Sequence, residues 1–383
     1  MRVTRSIAVA SLAAAGLLVA ALPASATDTG GFGHRDATTQ GLARGWHPGH
    51  GHGPKPPTAG DPTTVAEHLA GPLTFAVDER GALVVGQAFS GSVVRIPPGQ
   101  APEELSSSPG VDVAAVSTLF GSVTWAERVG DQTQVSSSVL KRRSPDGQVR
   151  VLADLLAYEQ GANPDGGVSY SFRDLDASCA AGLPPMFAPY TGAVDSHGYG
   201  SLSLPGVTYV ADAGANAVLK VDRWGHVSTV AVIPAASFEV TADIAGAFGL
   251  PACVVGHRYY LEPVPTDVEL GTDGWLYVSS LPGGPEDGSL GALGSVYKVN
   301  PWTGAVKLLA TGFSGATNVA VAPDGTVFVA ELYANEVSSV SRRGVVTPLV
   351  SLTQPAGLEW SHGRLFVSTD VFGDGKVVSL RVR

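Results

Sequence analysis

GATNVAVAPDGTVFVAELYANEVSSVSRRGVVTPLV, residues 315–350, decides the fold. Four short runs in it have strand character. Residues 318–322 and 326–331 are rich in valine, and Pro323-Asp324-Gly325 separates them. Asp-Gly between two apolar runs is a strong hairpin signal. Residues 336–342 follow after a polar break at 333–335, and Arg343-Gly344 turns the chain into 345–350. Four consecutive antiparallel strands in so short a span make one blade of a β-propeller. A single blade cannot bury both of its faces, so the unit has to recur.

It recurs. Val329 has counterparts at Val85, Trp125, Val210, Val278 and Val367. The first turn repeats at Arg80-Gly81, Asp273-Gly274 and His362-Gly363, and the later turn at Asp146-Gly147, Trp224-Gly225 and Thr303-Gly304. Six units result. The last, 357–380, holds only three strands, and TVAEHL at 64–69 is available to supply the fourth. The expected fold is therefore an all-β, six-bladed β-propeller closed by an N-terminal strand in the last blade, which removes exposed sheet edges. A seventh blade would have to hide in an insertion without strand pattern.

Three regions are expected. Residues 1–26 read as a signal peptide, with Arg2 and Arg5, an apolar stretch over 7–22 and Ala24-Ser25-Ala26 as the cleavage site. Residues 27–62 read as a disordered Gly/Pro/His-rich linker. Its His47, His50 and His52 have no Cys or carboxylate beside them to complete a metal shell, so a solvated tail is the reading. Residues 63–383 form the propeller. The expected protein is secreted, extracellular and monomeric.

The formal charge is −10, and loss of Arg2 and Arg5 makes it two units more negative, −12. No basic run is present, which excludes nucleic acid and anionic membrane surfaces as partners. Charged residues are 15% and hydrophobic ones 44%, with 48 Gly and 27 Pro, the profile of a turn-rich all-β chain.

Two long insertions interrupt the blades, at 156–196 and 233–265, and a third loop lies at 280–294. The first two join an outer strand to the next inner strand, and the third joins second to third strands. In an up-and-down blade both connection types fall on one face, so that face is the expected binding surface. Cys179 and Cys253 lie in the two long insertions. In a secreted chain such a pair reads as a disulfide, the other reading being two buried thiols.

The stretches NPDGG (163–167), DSHGYG (195–200), VADAGANAVLKVD (210–222), PVPTDVELGTDGWLYV (263–278) and TGFSGATNVAVAPDGTVFVAE (311–331) resemble the ScyD/ScyE family of secreted bacterial proteins. The resemblance covers the chain after the linker. It implies a secreted, six-bladed propeller with NHL-like repeats and no established reaction. Members usually carry Asn-Pro-Tyr-Gly after the Asp-Ser; here His197-Gly198-Tyr199-Gly200 stands there.

Gly-x-Ser-x-Gly, His-Glu-x-x-His, phosphate-loop and Cys-x-x-Cys signatures are absent. The polar residues expected on the insertion face are Asn163, Asp165, Asp195, Asp212, Asn216, Glu262, Asp267, Asn318, Glu331 and Asn335, with Tyr199 as a packing residue. One reading is a ring of oxygen ligands for Ca²⁺ at the channel mouth, with Asp195, Glu262 and Glu331 converging. The other is local: Asp and Asn bond their own turns, and each blade reuses them. Three functions follow. The first is a non-enzymatic binding or scaffold propeller whose insertion face takes a protein or small-molecule ligand. The second is a calcium-dependent hydrolase or lactonase of the gluconolactonase type, although the Glu-Gly-Pro start of that group is replaced by Gly71-Pro72-Leu73. The third is a lyase like the streptogramin lyases, with His197 as the nearest histidine.

Overall fold

A computed structural model describes residues 55–383 apart from 132, 133, 286–288 and 290. The expected signal peptide and most of the expected linker lie outside the described residues. Among the described residues are seven four-stranded antiparallel sheets. In six of them the innermost strands, Thr74–Val77, Asp112–Leu119, Gly198–Leu204, Pro265–Leu270, Ala316–Val321 and Leu358–Ser361, pack each against the next, and the last against the first. That closed ring is the propeller.

The ring closes as expected. Thr63–Leu69 is the outer strand of the last blade and pairs with Gly375–Arg381, Thr64 opposite Val378 and Leu69 opposite Gly375. The edge extends further back, because Thr58 exchanges backbone hydrogen bonds with Arg383 and the Gly60 N–H donates to the Arg381 carbonyl.

The recurring turn glycines have two physical reasons. Gly344 has φ +79°, a region costly for any residue with a Cβ. A Cβ there would also lie 2.2 Å from the Leu309 carbonyl oxygen of the preceding blade. Gly225 and Gly304 meet the Leu152 and Val230 carbonyls in the same way. The motif thus records how closely adjacent blades approach.

Side chains on the inner strands tie blade to blade. Thr266 Oγ1 donates to the Ala316 carbonyl (2.9 Å), and Thr317 Oγ1 to that of Ala356 (3.0 Å). The next residues accept across the same gaps: Asp267 from the Val319 N–H (3.2 Å), Asn318 from that of Leu358 (2.9 Å). At the loop-bearing end, an apolar cluster takes buried residues from every blade, among them Leu73, Ala114, Tyr199, Val264, Leu332 and Ala356. The cluster links the six blades at this end of the ring.

The seventh sheet was not visible in the sequence pattern. Its strands, in order Tyr190–Thr191, Ser169–Phe172, Arg258–Leu261 and Ala236–Glu239, come two from each long insertion. It is a layer over the ring rather than a seventh blade, since the inner strands of the second, third and fourth blades still pack in succession. The layer has its own core, including Phe172, Phe187, Val254, Tyr259 and Leu261. The Cys179–Cys253 disulfide, with Cα atoms 5.9 Å apart, joins its two halves. No helix among the described residues is long and apolar enough to cross a membrane.

Candidate functional site

The carboxylates expected to converge at the channel mouth do not all gather: Glu331 is held by Ser314 and Ser338, whereas Asp165, Asp195 and Glu262 lie together where the insertions leave and rejoin the second, third and fourth blades. Helix Leu155–Ala162 opens the first insertion, capped by Asp154, whose carboxylate accepts from the Ala157 N–H. Glu159 shares the buried face with Leu155 and Leu156. Asn163 ends the helix with φ 34°, its backbone N–H on the Glu159 carbonyl and its side-chain amide donating to the Gly192 carbonyl (3.1 Å).

Asp165 is fully buried. Its Oδ2 accepts from the Tyr170 hydroxyl (2.7 Å) and from the Asn216 amide (2.9 Å), while Oδ1 has no hydrogen-bond partner. Gly192 lies against it, where a Cβ would fall 2.1 Å from Oδ1. Glu159 is equally buried. It accepts from the Ser196 N–H through Oε2 (2.5 Å), and Oε1 is unpartnered. Burial, with Asp212 and Asp195 nearby, raises Glu159 to about 9. Asp195, at the start of the third blade, is raised to about 6 by burial and by Asp212 and Asp165, against the opposing pull of Arg128 and His197. Burial, then Asp195 and Asp165, raise Glu262 to about 7, while hydrogen bonds from Tyr190 and Asn216 favour its ionised form. The cause is common to all three: desolvated carboxylates sharing one region favour protons over charge.

Several candidates serve local structure. Asp212 accepts from the His197 and Ala215 N–H groups and the Ser196 hydroxyl. Asn216 and Asn335 take the same role in the third and fifth blades, with φ of 52° and 55° and their carbonyls accepting from Ile233 and Leu352. Blade-to-blade reuse therefore accounts for their backbones. Their side chains diverge: Asn335 accepts from Gln354, whereas Asn216 accepts from the Val264 N–H (3.0 Å) and donates to Asp165. Asp267 and Asn318 tie the inner strands, as described. Glu331 accepts from the Ser314 N–H (2.9 Å) and the Ser338 hydroxyl (2.6 Å). Those bonds hold it within its own blade, while Asp195 and Glu262 meet with Asp165. His197 is 1% exposed, with Nε2 2.8 Å from the Asp112 carboxylate though not aligned for a hydrogen bond, and its ring stands edge-on to Tyr199. It is walled off from any substrate. Among the described residues no three His, Cys, Asp or Glu side chains are grouped so as to hold a metal ion.

Glu262 is only 5% exposed and is reached from the outside through a cleft that it helps to line. It shares that cleft, of about 400 Å³, with Met186, Pro189, Tyr190, Tyr259, Leu261 and Gly284. Directly behind it Val264 has φ 47°, an outlier for a β-branched residue, held by the Asn216 side chain and by the Leu281 N–H on its carbonyl. Sequence reasoning missed Glu159, Tyr170 and Tyr190. The one available signal was Glu159 four residues after Leu155 and three after Leu156, on the apolar face of a short helix.

No family model matches the chain, and no curated protein matches it. Solved structures do. The PQQ-bound aldose sugar dehydrogenase of Streptomyces coelicolor is 12% identical, with a TM-score of 0.53 over 86% of this chain and 100% of that one. The soluble aldose sugar dehydrogenase of Escherichia coli is 12% identical, at 0.52 over 84% and 99%. A gluconolactonase from Xanthomonas campestris is 10% identical, at 0.51 over 86% and 95%. At these identities the likeness shows the β-propeller fold alone.

Proposed function

We propose that the chain is a secreted, non-enzymatic binding propeller of the ScyD/ScyE type, and that its loop-rich face takes the ligand. One observation carries the reading. Most polar side chains of that face are bonded to one another and to backbone, whereas the cleft that Glu262 lines is formed and bordered mainly by aromatic and apolar residues. A preformed, mostly apolar cleft with few polar groups is the usual form of a small-molecule site, and about 400 Å³ lies in the usual range. The strained Val264 backbone, fixed from two blades, sets Glu262 in place before any ligand arrives.

A second cleft of about 600 Å³ lies at the tight-turn end, between the first and second blades, beside Arg80, Phe120, Ser122 and Pro145. It provides the control. A panel of anionic, neutral and cationic small molecules is screened by thermal shift on the wild type, on Ala188→Trp and on Ser122→Trp. Ala188 lines the loop-face cleft and Ser122 the other. Ligands are expected to lose their effect in Ala188→Trp and keep it in Ser122→Trp. The reverse pattern overturns the reading.

A further inference from the structure

We propose that the cleft at Glu262 selects an organic cation, a primary ammonium group carried on an aromatic or branched apolar body. This rests on the binding role assigned to the loop-rich face and names the ligand class it takes.

Charge is the first argument. Among the described residues lining the cleft, Glu262 is the only ionisable acid or base, tyrosines aside. No Lys, Arg or His is among the described residues that line it. The groups facing Glu262 from the elements around it are Asp165, Asp195 and the phenols of Tyr170, Tyr190 and Tyr259. Two further carboxylates therefore lie close enough to act on Glu262, and one of them, Asp165, is fully buried with an unpartnered oxygen. The Arg128 guanidinium acts on Asp195. A cation in the cleft stabilises the ionised form of Glu262 and relieves the crowding of like charges, whereas an anion adds to it.

Shape is the second argument. Tyr190 and Tyr259 present aromatic rings in the same cleft, and an ammonium group beside a carboxylate and an aromatic face gains from both. Tyr259, Leu261 and Gly284 also border a neighbouring small pit of about 30 Å³. That pit is walled by Phe187, Phe238, Ile244 and Phe248. The described residues there offer no polar group to satisfy a second polar end, so the far part of the ligand is apolar. A metal ion has no use for this wall, and a sugar would leave most hydroxyls unbonded against it. An amine with an apolar arm uses both ends.

Three probes of similar size and different charge test this by calorimetry: 2-phenylethylamine, 2-phenylethanol and phenylacetate. At pH 8 the amine is expected to bind at least roughly tenfold more tightly than the alcohol, the ratio that about 1.4 kcal/mol supplies, with phenylacetate weakest. Glu262→Gln is expected to bring amine and alcohol to within roughly threefold of each other, a residual ratio worth about 0.6 kcal/mol. Amine affinity is also expected to fall from pH 8 to pH 5.5 as Glu262 takes up its proton, and Glu262→Gln flattens that profile. Gln keeps the size of the side chain, and the circular dichroism spectrum and melting curve of the variant establish that it folds. Alcohol or phenylacetate binding as tightly as the amine, with binding lost in Ala188→Trp, overturns the ammonium assignment and leaves the face assignment standing. Amine binding unaffected by Ala188→Trp overturns both. Absence of amine binding to the wild type overturns the ammonium assignment.

Discussion

Glu159→Gln is expected to stabilise this protein at neutral pH. Glu159 is fully buried, one carboxylate oxygen has no partner, and its neighbours Asp195 and Asp212 are acids. Its proton affinity is raised from the ordinary 4.5 to about 9. The folded state therefore keeps the proton at pH 7, while the unfolded chain releases it. An acid raised in the folded state contributes stability that is complete below its unfolded value and is lost as pH climbs towards the folded value. Between 4.5 and 7 the loss is about 3 kcal/mol at 1.36 kcal/mol per pH unit. Gln has the shape of the protonated acid, keeps an oxygen for the Ser196 N–H and cannot ionise in the unfolded chain. Urea melts of both proteins from pH 4.5 to 8.5 test the reasoning. The two are expected to be nearly equal at pH 4.5, with the variant gaining an advantage that grows with pH to about 3 kcal/mol at pH 7. A variant less stable than wild type at pH 7, or a difference that does not change with pH, refutes it.

Replacing Cys179 and Cys253 by Ser is expected to make the insertion layer protease-sensitive while the blades remain resistant, because the layer has a separate small core. Limited proteolysis with fragment masses checks it; simultaneous loss of both regions would be the wrong outcome. A chain that begins at Pro72 lacks the outer strand of the last blade and the burial of Ala66 and Leu69, about 3 kcal/mol of apolar contact, and exposes a sheet edge. Its melting temperature is expected to drop and its aggregation to rise; a wild-type melt rules out the closure. Gly344→Ala is expected to cost about 2–4 kcal/mol because φ is positive and the Leu309 carbonyl is in the way. Gly363→Ala, at φ +73° with open space around it, is expected to cost only about 1 kcal/mol, and equal losses would contradict the account of the turn motif.

The blades were legible because each is built from neighbouring segments joined by short turns, and Asp-Gly marks the turns in the sequence. The closing strand was legible by subtraction, as the one piece the last blade lacks. Cys179 and Cys253 were readable as a pair because both insertions leave the same face. The insertion layer was not readable. Ser169–Phe172 and Arg258–Leu261 are four residues each, lie in different insertions and pair across a whole blade. Period and turn chemistry report local pairing, so a sheet assembled from distant short segments leaves no such trace. The acids were half legible. Asp165, Asp195 and Glu262 stand where the insertions meet the ring, as their places in the chain imply. Glu331 was expected with them, but Ser314 and Ser338 are nearer partners, and local hydrogen bonds hold it. The apolar cluster shared by the six blades was hidden because each blade contributes only a residue or two, so no run of sequence shows it.

Hydrogen–deuterium exchange of the wild-type chain with and without 2-phenylethylamine tests the central claim, that ligands enter at the loop-rich face beside Glu262. Protection is expected around Tyr190, through Leu261–Val264 and at Gly283 and Gly284, with no change near Phe120 and Pro145. Protection confined to the turns around Phe120 and Pro145 would place binding on the opposite face and contradict the account.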